Sequence, residues 1–521
     1  MQLTLPQRTV ADTQSFPVQP DGVNTWLSKL NPTRSNSDVM EVYRGLRHSN
    51  RLHNDLNRRR AIITCFIPTL RELNSSLMEI CQAQPLPLTT EFQRSAQLLD
   101  GLLREEAFAF KILLADSAQP RGDDVRRAMQ ALSRQAECRI HGYRRIPESL
   151  LQDANQLYAL AEEFSLLDSK PEEDNLSSAE HYKYILLLTL ADTQQHRVRQ
   201  LAPLLEFLKH NASVLRIRNK APNETNRSIN FAVHLDHGAR PVPATTLIAE
   251  SHQRVRWVNL ASILTRVDVQ LAKARSIETA LLGSESLDRQ SFARLRVTLA
   301  RSRSRRTQRG IVHDKKTIMF GHKSICAHLH LNTAKTASIE AENATTDFAA
   351  SYEAMDKAAD VLHQQEEQNW VTINESAQGM CLYSADCRAG MVQVGELISI
   401  EAQELDTAAY IKGKSSALIG VVRWVRAGEG SALRIGIEFL AKGVLPVGIS
   451  RTHSDDIVAD DAMIIACKVK QSVLQTILLP AYLYQPGDRL SVSLKGKTRQ
   501  VKLNQSLQNN GLFSHFSLQD V

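Results

Sequence analysis

Hydrophobic residues recur every three or four positions through most of the first 300 residues, which is the period of an amphipathic α-helix. Segments with this pattern lie at about residues 38–82, 89–116, 122–144, 148–166, 178–193 and 196–210. Pro68 is expected to kink or split the first of them, because proline lacks the N–H that a helix interior needs. The pattern predicts a polar lead over residues 1–36, then a helical domain over residues 37–300 that packs as an antiparallel bundle or short solenoid.

Alternating apolar and polar residues interrupt this helical pattern between about residues 212 and 250. The segments VLRIRN and SINFAVHL alternate, and PNETN and DHGARP supply turn residues. This stretch predicts a β-hairpin inserted into the helical domain. Helical spacing resumes from Thr246, and Leu287–Ala300 is expected to be the last helix of the domain.

Beyond about residue 310, β-branched and alternating segments dominate. Six of them are predicted strands: HKSICAHLHL, WVTINES, QGMCLYS, ELISIEA, SALIGVVRWVR and ALRIGIEFL. They predict a small antiparallel barrel over residues 311–450, interrupted by an insertion at residues 332–368 that forms a polar helix or a loose excursion. Five further strand-like segments predict a second small β module over residues 451–521. The predicted fold class is therefore multidomain α + β.

The positive charge of the chain is concentrated in one place. Lysine and arginine total 63 against 56 acids, a net charge of +7 over 521 residues. The window Arg289–His313 contains eight arginines and no Asp, Glu or Lys, so it carries +8 and the other 496 residues together carry −1. Residues 301–310 hold too few apolar side chains to bury, which predicts a flexible arginine-rich joint. This concentration disfavours a broad nucleic-acid-binding surface.

A second motif follows on the predicted barrel. WVTINESAQGMCL reads as strand, turn and strand, and it spaces Asn374, Ser376 and Gly379 as N-x-S-x-x-G. Upstream, Arg305 and Arg309 form R-x-x-x-R, and downstream the chain reads RWVR and then LRIGIEFL. In this order, and on these predicted elements, the motifs resemble the PilZ domain family of bacterial cyclic di-GMP receptors. The resemblance covers about residues 300–450.

The resemblance implies a ligand, cyclic di-GMP, and a set of contact residues. Arg301 begins an overlapping R-x-x-x-R and Arg306 is adjacent to the motif, so both are secondary candidates. The expected primary contacts are Arg305, Arg309, Asn374 and Ser376, with Gly379 in the turn. Asn374 stands where the family usually has an aspartate, which keeps hydrogen-bonding capacity and loses a charge.

These residue types suit a cyclic guanine dinucleotide. Its two phosphates remain charged near pH 7, and each guanine presents O6 and N7 as adjacent acceptors. A guanidinium can bridge that edge with two hydrogen bonds, clamp a phosphate, or stack on a base. Glycine at residue 379 permits a sharp turn or a close approach of the ligand.

Other classes of function find little support in the sequence. We expect no enzyme, because no catalytic signature occurs, and no metal site, although His322, His328 and His330 are close in sequence. Seven cysteines without a CxxC pair indicate a reducing compartment. No apolar run approaches the roughly 20 residues that cross a bilayer, and no signal peptide is recognisable, so we expect a cytoplasmic protein.

The favoured hypothesis is a non-catalytic receptor in second-messenger signal transduction. Cyclic di-GMP on the barrel would order the arginine joint and act as an allosteric effector of the helical domain, which would contact a protein partner. Homo-oligomerisation stays open. One alternative is a nucleic-acid-associated protein that uses the joint to bind phosphates, and another is a ligand-free PilZ-like scaffold for protein assembly.

Overall fold

The computed structural model describes most of the chain in two compact units. The first unit comprises residues 1–274 and 285–304, and the second comprises residues 275–284 and 305–521. The described residues are 3–8, 16–31, 36–82, 84–169, 176–223, 229–246, 254–273, 289–300, 309–341, 368–388, 390–401, 415–453, 456–469, 472–494 and 497–521. Among them, no helix combines the length and apolar character that crossing a bilayer requires.

The first unit is mainly helical, as its 3.6-residue periodicity predicts. Its described α-helices are α1 (Pro20–Leu27), α2 (Asn36–Arg51), α3 (Leu56–Cys81), α4 (Thr90–Asp116), α5 (Gly122–His141), α6 (Glu148–Glu163), α7 (Ser178–Leu190), α8 (Val198–His210), α9 (Ala261–Lys273) and α10 (Arg289–Ala300). Helix α4 packs against α3 and α5, and α7 packs against α5 and α6. The side chains of Leu99, Leu102 and Leu103 on α4 are fully buried in this packing.

The long first amphipathic segment is broken at a different place from the one predicted. Pro68 lies inside the uninterrupted helix α3, so the expected split there is wrong. The break comes before Asp55, whose carboxylate caps α3 by accepting a hydrogen bond from the backbone N–H of Arg58 at 2.9 Å. A side-chain cap satisfies one of the free N–H groups of a helix start, so it marks the boundary more strongly than the proline does.

The alternating stretch forms a sheet of four strands. These are β1 (Arg216–Arg218), β2 (Asn230–His234), β3 (Val242–Pro243) and β4 (Val255–Asn259), in the order β1-β4-β2-β3. The predicted return of helical spacing at Thr246 is wrong, because β4 precedes the next helix. Asn155 on α6 ties the sheet to the helices by donating to the carbonyl oxygens of His234 and His237, at 3.0 and 2.6 Å.

Two closed six-stranded antiparallel barrels form most of the described part of the second unit. Its strands are β5 (Gly310–Ile311), β6 (Lys315–Phe320), β7 (Gln368–Ser376), β8 (Gly379–Ser384), β9 (Leu397–Ile400), β10 (Ser415–Ala427), β11 (Leu433–His453), β12 (Asp456–Val469), β13 (Ser472–Pro480), β14 (Arg489–Leu494), β15 (Lys497–Asn509) and β16 (Phe513–Asp520). The first barrel runs β10-β9-β6-β7-β8-β11 and closes by pairing β10 with β11. The second runs β11-β12-β13-β16-β15-β14 and closes by pairing β11 with β14.

Strand β11 is shared by both barrels. Its first part pairs with β8 and β10, and its second part, from Val444 onward, pairs with β12. The boundary placed from sequence between residues 450 and 451 falls inside this strand.

The segment HKSICAHLHL is helical, so the strand predicted there is wrong. It begins helix α11 (His322–Ala341), and the first long strand of the barrel is β6, which the sequence reading missed. Ile325, Cys326 and Leu329 are buried in a core formed with β-strand residues, and their spacing fits one face of a helix. Over so short a segment the strand period and the helix period both match, so the pattern alone does not distinguish them.

Candidate functional site

The short strand β5 brings the arginine motif to the asparagine motif. Gly310 and Ile311 pair with Glu375 and Asn374 on β7. Arg309, immediately before β5, donates from its exposed guanidinium Nη1 to the side-chain Oδ1 of Asn374 at 3.0 Å. Two residues that are 65 positions apart in sequence therefore meet on the barrel surface. Arg301, Arg305 and Arg306 lie outside the described residues.

Ser376 and Gly379 close the turn between β7 and β8. The Ser376 hydroxyl donates to the carbonyl oxygen of Gly379 at 3.0 Å, across the last pair of the hairpin. A Cβ at Gly379 would collide with the carbonyl oxygen of Ile437 on β11. The visible reason for glycine at this position is thus the close packing of the turn against the neighbouring strand.

A row of residues runs from Asn374 across the outer face of the barrel. Asn374 pairs with Cys381, Cys381 with Gly436, and Gly436 with Trp424. The indole of Trp424 lies over Gly436, since a Cβ at Gly436 would collide with it. The row thus places a half-buried aromatic ring on the same face as the Asn374 amide.

A second row beside it carries two more guanidinium groups. The guanidinium carbon of Arg426 lies 5.2 Å from the ring centre of Trp424, and that of Arg434 lies 5.6 Å from the ring of Tyr383. These distances are typical of cation–π contacts. We define the outer arginine face as Arg309, Asn374, Tyr383, Trp424, Arg426 and Arg434.

The thiol of Cys381 shows how closely the arginines of this face converge. Burial raises the pKa of the thiol, and the positive charges of Arg309, Arg434 and Arg426 oppose that rise. Three guanidinium groups are therefore within electrostatic reach of one buried side chain. A face with this density of cations and aromatic rings can hold phosphates and stack planar bases.

Sequence reasoning did not single out Trp424, Arg426, Arg434 or Tyr383. A signal was present, because RWVR and LRIG alternate and so put Trp424 with Arg426, and Arg434 with Gly436, on one side of each strand. Glu438 also lies on this side, and its carboxylate forms an ion pair with Arg423 at 2.6 Å. Among the described residues, no group of His, Cys, Asp and Glu side chains is arranged to hold a metal ion.

Comparison with known families agrees with this geometry. Residues 286–446 match the model of the middle PilZ domain of the cyclic-di-GMP receptor FimW. Residues 21–222 match the N-terminal domain of the same receptor, and residues 470–521 match its C-terminal β-barrel domain. The chain therefore contains a PilZ domain. All six residues of the outer arginine face lie within the PilZ match. The motifs, the first barrel and the family match therefore fall on the same part of the chain.

The same type of receptor is found among curated proteins. The chain is 21% identical to the cyclic-di-GMP receptor FimW of Pseudomonas aeruginosa, over 99% of its own length and 93% of that protein. No solved structure matches the chain.

Proposed function

We propose that this PilZ protein is a receptor for cyclic di-GMP and that Arg305, Arg309, Asn374 and Ser376 bind the dinucleotide beside the Gly379 turn. The observation that carries the proposal is the hydrogen bond between Arg309 and Asn374, which joins the two motifs in one place. In the bound state Arg309 would exchange this internal partner for a phosphate or a guanine edge.

The remainder of the outer arginine face extends this surface. Trp424 and Tyr383 offer aromatic faces, and Arg426 and Arg434 add positive charge next to Asn374. A dinucleotide with two bases and two phosphates could use both kinds of group at once. The finer assignment of Arg301 and Arg306 as secondary contacts follows from their positions in the motif.

We further propose that ligand occupancy is relayed to the helical unit. Residues 301–309 connect helix α10 to the barrel along the chain, so arginines of this segment that grip a ligand would alter the restraint on the end of α10. The helical unit would then present a changed surface to a protein partner.

Isothermal titration calorimetry of the full-length protein with cyclic di-GMP tests the binding proposal. We expect saturable binding, and a loss of about 10- to 100-fold in affinity for Arg305→Ala, Arg309→Ala and Asn374→Ala, since each removes a charge-assisted or paired contact. Arg489→Ala is the matched control, because Arg489 is an exposed arginine on the second barrel. No heat with the wild-type protein, or an equal loss in the control, would contradict the proposal.

A parallel titration with generic double-stranded DNA separates the receptor from a phosphate-binding protein. Generic binding should weaken steeply with salt and be insensitive to Asn374→Ala. Relay is tested by hydrogen exchange of the α10 amides, which should change on adding ligand in the wild type but not in Arg309→Ala. Unchanged exchange in α10 would refute the relay and leave the binding proposal standing.

A further inference from the structure

Strand β5 adds an apolar residue to the outer face of the first barrel. Ile311 lies directly opposite Asn374 in the antiparallel ladder between β5 and β7. Directly opposed residues of such a pair project on the same side of the sheet, with their Cβ atoms close together. Ile311 therefore extends the row that runs from Asn374 across the barrel to Trp424, and it follows Arg309 by two positions in sequence.

The side chain of Ile311 is almost uncovered by the protein. It is 81% exposed, more than any other large hydrophobic side chain in the described part of the chain. The space beside its neighbour Gly310 is also open, since a Cβ there would meet no atom within 4 Å. A single exposed apolar side chain is common on protein surfaces, so exposure alone does not indicate a contact.

The position of Ile311 distinguishes it from other exposed apolar side chains. Arg309 donates to Asn374 at 3.0 Å, and Ile311 is the ladder partner of that same asparagine. A cationic, an amide and an aliphatic side chain therefore lie side by side at the proposed dinucleotide site. Leu483, which is 50% exposed, lies instead in the connection between β13 and β14 of the second barrel.

A guanine base needs apolar contacts as well as polar ones. Its edge presents the O6 and N7 acceptors that a guanidinium can bridge. Its two faces are largely apolar, and proteins that bind unpaired bases cover them with side chains. Hydrogen bonds and ion pairs at the edge are also stronger where water is excluded. An aliphatic side chain next to Arg309 is placed to supply both effects.

We propose that Ile311 contacts the face of a guanine base of bound cyclic di-GMP. This role depends on the proposed binding of the dinucleotide by Arg309 and Asn374, and it adds a contact that has no charge and makes no hydrogen bond. Arg309 would hold a base edge or a phosphate, and Ile311 would cover the adjacent base. The contribution of Ile311 comes from the removal of its apolar surface from water.

Isothermal titration calorimetry with cyclic di-GMP tests this role on the full-length protein. We expect Ile311→Thr to weaken binding about 5- to 10-fold, because the β-branched shape that suits a strand is kept and apolar contact area is lost. Ile311→Val should retain most of the affinity. Stability to urea should be unchanged in both variants, since the side chain is not buried in the free protein. Leu483→Thr is the matched control, because it removes an exposed apolar side chain from the second barrel.

Salt concentration separates this apolar contact from the charged ones. The loss of affinity in Ile311→Thr should be the same at low and high salt, because no charge is removed. The loss in Arg309→Ala should shrink as salt screens the phosphates of the ligand. The heat-capacity change of binding should also be less negative in Ile311→Thr than in the wild type, since less apolar surface is buried.

The outcomes distinguish the role of Ile311 from the proposed function itself. If the wild-type protein binds no cyclic di-GMP, both are wrong. If the wild type binds, Arg309→Ala binds weakly and Ile311→Thr binds like the wild type, only the role of Ile311 is wrong. Equal weakening in Leu483→Thr, or a loss in Ile311→Thr that disappears at high salt, would also overturn this role.

Discussion

The two barrels place an arginine of the same strand over a tyrosine, and they use it differently. Arg434 lies 5.6 Å from the ring of Tyr383 on the first barrel, and Arg451 lies 5.6 Å from the ring of Tyr484 on the second. Arg451 also forms an ion pair with Asp488 at 2.7 Å. Within the described part of the chain, Arg434 has no acidic partner.

This difference separates a structural arginine from one available to a ligand. The carboxylate of Asp488 satisfies the charge of Arg451, and Tyr484 is itself held by Asp460. Arg434 keeps its charge exposed beside the N-x-S-x-x-G hairpin. Stacking on an aromatic ring is therefore not a functional signature by itself, and the missing counter-charge is what distinguishes the first barrel.

The largest expected effect on stability is the difference between substituting two glycines of the shared strand β11. Gly436→Ala should destabilise the protein by about 3 kcal/mol, because the new Cβ would overlap the large indole of Trp424. Gly448→Ala on the second barrel should cost far less, since its Cβ would meet the Ser493 hydroxyl at 2.8 Å and that small side chain can rotate away. Urea unfolding of both variants measures the contrast, and equal losses would show that the indole yields freely.

The second barrel also differs in containing a buried histidine, which should make the stability of the protein depend on pH. Burial lowers the pKa of His515 from 6.5 to about 4. The unfolded chain therefore takes up a proton between these values while the folded chain does not, so stability falls as the pH drops below 6.5. From this pKa difference, the expected loss of stability at pH 5 is about 2 kcal/mol.

The variant His515→Gln should reduce this acid sensitivity. Glutamine stays neutral and can hydrogen-bond the Thr476 hydroxyl, which His515 Nε2 contacts at 2.8 Å. The difference in unfolding midpoint between pH 7 and pH 5 should be smaller in the variant than in the wild type. If the difference between the two midpoints is the same in the variant and the wild type, groups other than His515 cause the acid sensitivity.

Substituting each of the two arginines tests the comparison between them directly. Arg434→Ala should weaken cyclic di-GMP binding about 10-fold and leave stability nearly unchanged, because its charge serves no internal ion pair among the described residues. Arg451→Ala should leave affinity unchanged and lower stability by about 1 kcal/mol. Calorimetry measures the affinity of both variants, and urea unfolding measures their stability. If both variants lose affinity and stability equally, or if the two effects are reversed, the distinction between the two arginines is wrong.

The smallest expected effect concerns the acid on the ligand side of the first barrel. Glu438 pairs with Gly379 across the strands and holds Arg423. Glu438→Gln should raise affinity for the dianionic ligand about 2- to 3-fold at low salt, because it removes a repelling charge and releases a cation. The gain should vanish at high ionic strength, and a persistent gain would indicate a contact other than charge.

Much of the architecture could be predicted from sequence, because periodicity over long segments is informative. The helical first unit and the multidomain α + β class follow from it. The start of α11 could not be read, since ten residues with alternating and helical spacing satisfy both patterns. The strand β4 was missed because RVRWVN lies directly before a helix, and its final residue, Asn259, also fits the start of that helix, where its side-chain oxygen accepts from the Ala261 N–H.

Only part of the candidate site was open to sequence reasoning. The motif spacing identified Arg309, Asn374 and Ser376, and the structure shows the first two in contact. The contribution of Trp424 and Arg434 depends on which strands are neighbours and in which register, and no local pattern encodes that. Likewise, the difference between Arg434 and Arg451 depends on Asp488, which is 37 residues beyond Arg451 in sequence.

Strand β11 carries a consequence for how such a chain can be divided. Its 21 residues form a wall of each barrel, so neither barrel can close on a fragment that lacks its share of the strand. The two barrels are therefore connected by a strand and not by a linker, so the C-terminal barrel cannot be added to the PilZ barrel or removed from it as a separate domain. Because one continuous strand joins the two barrels, a boundary drawn between them has to fall within β11.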